Sequence, residues 1–118
     1  SLGVIMYILL SGFPPFYATD PDPKQNTRTI LQQVKTKKIE DSVQFFPETE
    51  WASISSEAKT LVLAMLNRDP SRRPSAEDLL SHPWMANNTH TEALPTIARL
   101  RKFNAKRKLR ASATCACR

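Results

Sequence analysis

Apolar side chains cluster at the start of the chain and thin out toward its end. Leu2 to Leu10 (LGVIMYILL) is apolar on every side. A helix of that kind is buried; a central strand is the alternative by composition, since Val, Ile and Tyr favour strands. Gly12, Pro14 and Pro15 stop this element, whichever it is. Thr19 to Thr27 reads as a polar loop punctuated by prolines. From Thr29 to Ile39, Ile30, Leu31 and Val34 fall at helical spacing. Lys35, Lys37 and Lys38 sit where a helix dipole favours cations. Ser42 to Trp51 (SVQFFPETEW) predicts an extended loop with aromatic anchors.

The clearest helix spans Ser56 to Asn67. Ala58, Leu61, Val62, Met65 and Leu66 form one apolar stripe, Ser55 or Ser56 caps its start, and Asp69-Pro70 ends it. A shorter helix starts at Ser75, where Ser75 and Asp78 have the spacing of a capping box with Asp in place of Glu. Its Leu79 and Leu80 are expected to face inward, and His82-Pro83 terminates it. After a polar linker, Asn87 to Thr91, Pro95 opens a last helix through Leu109. No alternating pattern predicts a strand, so the expected class is mainly α.

Leu2 to Leu10 is too short to span a bilayer, which takes about 20 residues. It also lacks the positive n-region of a signal peptide. Ser1 is not Met and an apolar run starts at once, so the sequence reads as cut from something longer. Cys115 and Cys117 provide too few ligands for a zinc site and read as free thiols, which suits a cytoplasmic protein. The net charge of +6 hides an asymmetry. Residues 96–118 hold eight Lys/Arg and no acid, while residues 1–95 hold nine basic and eleven acidic side chains, a net of −2. Such an imbalance marks an interaction tail.

Two stretches carry a family resemblance. SLGVIMYILLSGFPPF, residues 1–16, resembles the central helix of the C-terminal lobe of protein kinases and the turn after it. AKTLVLAMLNRDPSRRPSAEDLLSHPWM, residues 58–85, resembles the closing kinase subdomain in both order and spacing. Residues 1–85 are thus similar to part of a Ser/Thr kinase domain, and most similar to the calcium/calmodulin-dependent branch. The implied fold is a partial C-terminal lobe of a protein kinase-like fold, followed by a basic amphipathic helix. Residues 86–95 form the linker and residues 96–118 the basic segment.

The resemblance assigns roles by position. Arg73 matches the arginine that pairs with the Glu of the kinase Ala-Pro-Glu motif, a partner this sequence does not contain; its other reading is a surface arginine in a basic turn. Glu50, in PETEW, matches an acid near the peptide groove that would recognise a substrate arginine; its other reading is a solvated glutamate beside a packed Trp51. Where other basophilic kinases carry a further acid, this chain has Ile8. Phosphoryl transfer needs a Gly-rich loop, a paired lysine, a catalytic Asp and Asp/Asn ligands for magnesium. The chain has two glycines and no His-Arg-Asp, Asp-Phe-Gly or Ala-Pro-Glu. No catalytic, cofactor or metal residue is therefore assigned within these 118 residues. ATP and magnesium are implied for a longer parent that phosphorylates protein substrates. Without the preceding elements, the chain alone is expected to pack loosely or aggregate.

In Thr96 to Arg110, Ile97, Leu100 and Phe103 or Asn104 share one helical face and cations cover much of the rest. Basic amphipathic helices suit calmodulin, a pseudosubstrate role or a membrane surface. LRKFNAKRKLR, residues 100–110, resembles the autoinhibitory and calmodulin-binding segment of these kinases. Leu100, Phe103, Lys106, Arg107, Lys108 and Leu109 are the implied calmodulin contacts, and Thr96 matches a regulatory autophosphorylation site. The sequence departs in its small residues after Leu109, with Arg118 at the second anchor, and in Ala93 where an Arg would precede Thr96. Two other classes compete. A non-catalytic pseudokinase or scaffold would keep the fold and bind partners. A nucleic-acid or membrane binder would act through the tail, though the body has no nucleic-acid motif and charge alone binds phosphates without specificity.

Overall fold

The computed structural model describes residues 2–36, 45–86 and 95–116. Among these residues there are seven α-helices, one 3-10 turn and no strand. Helix α1, Leu2–Ser11, buries Gly3, Tyr7, Leu10 and Ser11, positions that share one face at spacings of four, seven and eight. The expectation of all-round burial fails, because Leu2, Ile5 and Leu9 are 56%, 54% and 62% exposed. The helices that contact α1, Glu48–Trp51, Ser56–Met65 and Thr96–Ala116, leave those three side chains open. Gly3 permits the close approach of helix α4, Ser56–Met65. A Cβ at Gly3 would lie 2.9 Å from the Met65 Cβ.

Helix α1 ends at Gly12, whose φ of 88° places it in the left-handed region that glycine adopts without steric cost. The Gly12 N–H still closes a bond to the Ile8 carbonyl at 2.8 Å. The following chain turns back through Phe13 to Tyr17. Helix α2, Pro23–Thr36, starts six residues earlier than its apolar spacing predicts. The signal lies in Asp22-Pro23. The Asp22 carboxylate accepts from the Lys24 N–H at 2.9 Å, and proline is at home in the first turn, where its missing N–H costs nothing. The expected lysines at 37 and 38, and Ile39, lie outside the described residues. At the far end of α2, the Arg68 guanidinium donates to the Val34 carbonyl at 3.3 Å.

The core is aromatic. Tyr7, Phe45, Phe46, Trp51, Ile54, Ala58 and Val62 are buried together. Ring centroids lie 4.8 Å apart for Tyr7–Trp51 and 4.4 Å for Phe46–Trp51. The Tyr7 hydroxyl donates to the Phe45 carbonyl at 2.6 Å. Residues 42–44 of the expected extended loop are not among those described. The rest departs from it: Glu48–Trp51 forms a short helix, α3, because Pro47 turns the chain and its carbonyl accepts from Trp51 at 3.0 Å.

Helix α4 buries the expected Ala58, Leu61 and Val62, with Ser55 accepting from the Ala58 N–H as its cap. Asp69 caps the 3-10 turn Pro70–Arg72. Helix α5, Ala76–Leu80, carries the full capping box, Ser75 and Asp78 each serving the other's backbone N–H. The inward reading of Leu80 is overturned: five residues give too short an element to bury both leucines, Leu79 is half-buried and Leu80 is 72% exposed. Helix α6, Pro83–Ala86, follows directly, the His82 ring accepting from the Trp84 N–H at 3.2 Å. Most of the linker, 87–94, lies outside the described residues. Helix α7, Thr96–Ala116, runs past Leu109 for a total of 21 residues.

Candidate functional site: a cleft beneath the basic helix

Helix α7 lies against the C-terminal end of α1. Its first turn is fixed by two contacts. The Thr96 hydroxyl donates to the Leu10 carbonyl at 3.2 Å, one of the last α1 carbonyls, which helix geometry leaves without an intrahelical partner. One turn on, the α7 backbone passes over Gly12. A Cβ at Gly12 would stand 2.5 Å from the Arg99 Cβ and 3.1 Å from the Leu100 nitrogen. The glycine therefore has two tasks here, a turn with positive φ and a notch for the helix.

Arg99 secures the next contact. Its guanidinium donates to the Glu50 carbonyl at 2.7 Å and to the Thr49 carbonyl at 3.4 Å. These carbonyls belong to α3, so a single side chain ties α7 to the aromatic core below. Phe103 then meets Tyr17 edge to face, with centroids 5.9 Å apart. Tyr17 is itself held by Gln33, whose amide accepts from the Tyr17 N–H at 3.2 Å and donates to the Tyr17 carbonyl at 2.9 Å. The pairing copies a strand neighbour with one side chain.

An open cleft lies between α7 and the body. One wall is the bend from Tyr17 to Asn26 together with Pro47, Thr49 and Glu50; the other is the cationic face of α7. Asp20 and Glu50 are the acids of the lining, against Arg99, Lys102, Lys106, Arg107 and Arg110. The Glu50 carboxylate accepts from the Thr49 hydroxyl, while its backbone carbonyl serves Arg99. Beneath the site, burial pushes the Tyr7 phenol well above its usual range, and the nearby Glu50 charge adds to the effect. Tyr7 stays neutral at any physiological pH.

Of the residues singled out by sequence, Glu50, Phe103, Lys106 and Arg107 meet in this cleft, and Thr96 seats the helix beside it. Leu100 is half-buried on the same side. Lys108 and Leu109 are not part of the cleft; Leu109 is 71% exposed. The expected apolar face of α7 is shifted, because Ile97 is 68% exposed, and the seated face runs through Thr96, Arg99, Leu100 and Phe103. Arg73 is not among the cleft residues; it follows the 3-10 turn, exposed, with its Nε donating to the Asn67 carbonyl at 2.7 Å. Sequence reasoning missed Arg99, Gly12 and Tyr17. The i, i+3, i+7 spacing of Thr96, Arg99 and Phe103 was the available signal, hidden because it mixes a hydroxyl, a cation and a ring. No helix among the described residues is long and apolar enough to cross a membrane.

In sequence the chain is similar to known proteins. Relatives matched over 116 residues, 96% of this chain, include the calcium and calcium/calmodulin-dependent serine/threonine-protein kinase of Lotus japonicus, 45% identical. That of Lilium longiflorum is 44% identical, and a calcium/calmodulin-dependent serine/threonine-protein kinase of Malus domestica is 40% identical. The chain spans 20% of the length of the first two and 25% of the third. The protein kinase domain profile matches residues 1–85, which takes in α1 to α5 and all but the last residue of α6, and on that match the chain belongs to the protein kinase domain family.

Proposed function

We propose that the whole protein is a calmodulin-regulated serine/threonine kinase, that residues 1–85 form the floor of its C-terminal lobe, and that α7 is its off-switch. The observation that carries this reading is the seat of Arg99 on the Thr49 and Glu50 carbonyls. Glu50 is the acid assigned to a substrate arginine, and a cation from the chain's own tail already lies at its backbone. A basic peptide would have to displace α7 to reach it. ATP and magnesium belong, on this reading, to other parts of the protein. The two glycines here are Gly3 under Met65 and Gly12 under α7, so neither is free to cradle a phosphate.

The lifting agent is calcium-loaded calmodulin, which takes basic amphipathic helices by their apolar anchors. Phe103 and Leu109 are those anchors, with Lys106, Arg107 and Lys108 between them. Thr96 is the regulated hydroxyl: held half-buried on Leu10, it becomes open to phosphorylation once α7 departs. Arg73 steadies the turn after α4 and is the proposed ion-pair partner of a glutamate elsewhere in the lobe.

Titration of the 118-residue chain with calmodulin tests the reading. Saturable binding in calcium, lost in chelator, is expected. Phe103→Ala should weaken it about 30-fold, the scale of a buried aromatic hot spot. Binding that ignores calcium, or no binding at all, would overturn the proposal.

A further inference from the structure

We propose that Thr19 is a phosphorylation site for a separate, acid-directed protein kinase, and that its phosphate clamps α7 onto the body. Two independent observations meet at this residue. The first is local. Thr19 is exposed in the bend before α2 and is followed by Asp20-Pro21-Asp22, acids at the first and third positions after the hydroxyl. Kinases with cationic substrate grooves discriminate by such charge patterns. The bend is held for presentation: the Asp20 N–H donates to the Asn26 side chain at 2.9 Å, and the Asp22 N–H to the Asp20 carboxylate at 2.9 Å.

The second observation is the cleft. Thr19 lines it together with Lys102, Lys106 and Arg107, all three exposed. In the step itself, the Thr19 hydroxyl oxygen attacks the γ-phosphorus of ATP held by the modifying kinase. The new O–P bond forms, the bond to ADP breaks, and the hydroxyl proton leaves to that kinase's base. The product carries a charge of about −1.5 to −2 and three strong acceptor oxygens. Set in a cleft with these cations, it accepts charge-assisted bonds from α7. Asp20 and Glu50 share the lining and oppose it, but the tail cations outnumber them. A phosphate on Thr19 thus holds the helix down, whereas one on Thr96 would break the contact with Leu10.

The inference rests on the seated helix and not on what lifts it. The 118-residue chain is treated with a purified acid-directed kinase and ATP, the phosphate is mapped by mass spectrometry, and amide hydrogen exchange is followed over residues 99–110. Phosphate at Thr19 and about tenfold slower exchange are expected, from one to two added charge-assisted bonds. The slowing should vanish on phosphatase treatment and in the Lys102→Ala, Lys106→Ala, Arg107→Ala triple variant. No phosphate on Thr19, unchanged exchange, or equal slowing in the triple variant would each sink the idea. Calmodulin does not enter the measurement, so its outcome is separate from that of the calmodulin titration.

Discussion

Single residues decide how α7 sits. Gly12 has a φ of 88° and no space for a Cβ beneath Arg99. Gly12→Ala should cost about 1–2 kcal/mol from the left-handed backbone alone. The methyl group also meets α7, so the loss should fall on the helix before it reaches the core. Amides of residues 97–104 should exchange faster in this variant, while the Trp51 fluorescence that reports the core stays native. Equal loss of both signals would show that Gly12 serves only its own turn. Tyr7→Phe acts on the other side of that boundary. It strips the donor from the Phe45 carbonyl inside a buried cluster, a deficit of about 1–3 kcal/mol. A lower urea midpoint with α7 exchange unchanged relative to the body is the expected result.

At the scale of elements, short polar signals were legible in the sequence where they are self-contained. The capping box at Ser75 and Asp78 needs no distant partner, and it is present in full. The stripe of α4 was equally readable, because Ala58, Leu61 and Val62 repeat at helical spacing. Elements whose shape depends on neighbours were not. Helix α1 looks uniformly apolar, and only the packing of α3, α4 and α7 selects Tyr7 and Leu10 over Ile5 and Leu9. Helix α3 was hidden because Pro47 starts it in four residues, too few to display a period. The cleft was half legible for the same reason: Glu50, Phe103, Lys106 and Arg107 stand in a motif, whereas Arg99 and Gly12 matter through a meeting of segments far apart in the chain.

The cap also fixes a pH response. Hydrogen bonds from the Ser75 hydroxyl, then from its backbone N–H, hold the Asp78 carboxyl below its usual pKa. A carboxylate depressed in the folded state stabilises it above the unfolded pKa, and that support is lost as pH falls through the depressed value. Ser75→Ala removes the larger cause. An NMR titration should find the Asp78 pKa raised toward the ordinary aspartate value, and the helix should fray at a higher pH than in the parent. An unmoved Asp78 titration would mean that the hydroxyl contact is not kept in solution.

The whole molecule is stretched by its tail. Its radius of gyration of 16.2 Å exceeds the ~13.5 Å of a compact domain of this length, because α7 is about 31 Å long and only its first turns are seated on a small body. The second consequence at this scale is the open face of α1. Leu2, Ile5 and Leu9 together present apolar surface that water disfavours. The 118-residue chain should self-associate in proportion to concentration, and Ile5→Lys with Leu9→Lys should return it toward a monomer in light scattering. Aggregation undiminished by those changes would place the sticky surface elsewhere, with exposed Leu31 and Val34 of α2 next in line.

Gln33 belongs to α2, yet it grips both backbone groups of Tyr17, and Tyr17 is where Phe103 lands. The resting place of α7 is thus set by an amide on another helix, through a lever one residue long. Replacing that amide with Ala leaves every atom of the landing pair in the molecule and removes the hand that holds it still. Whatever tilts α2 would, by this linkage, loosen the seat of α7 from below.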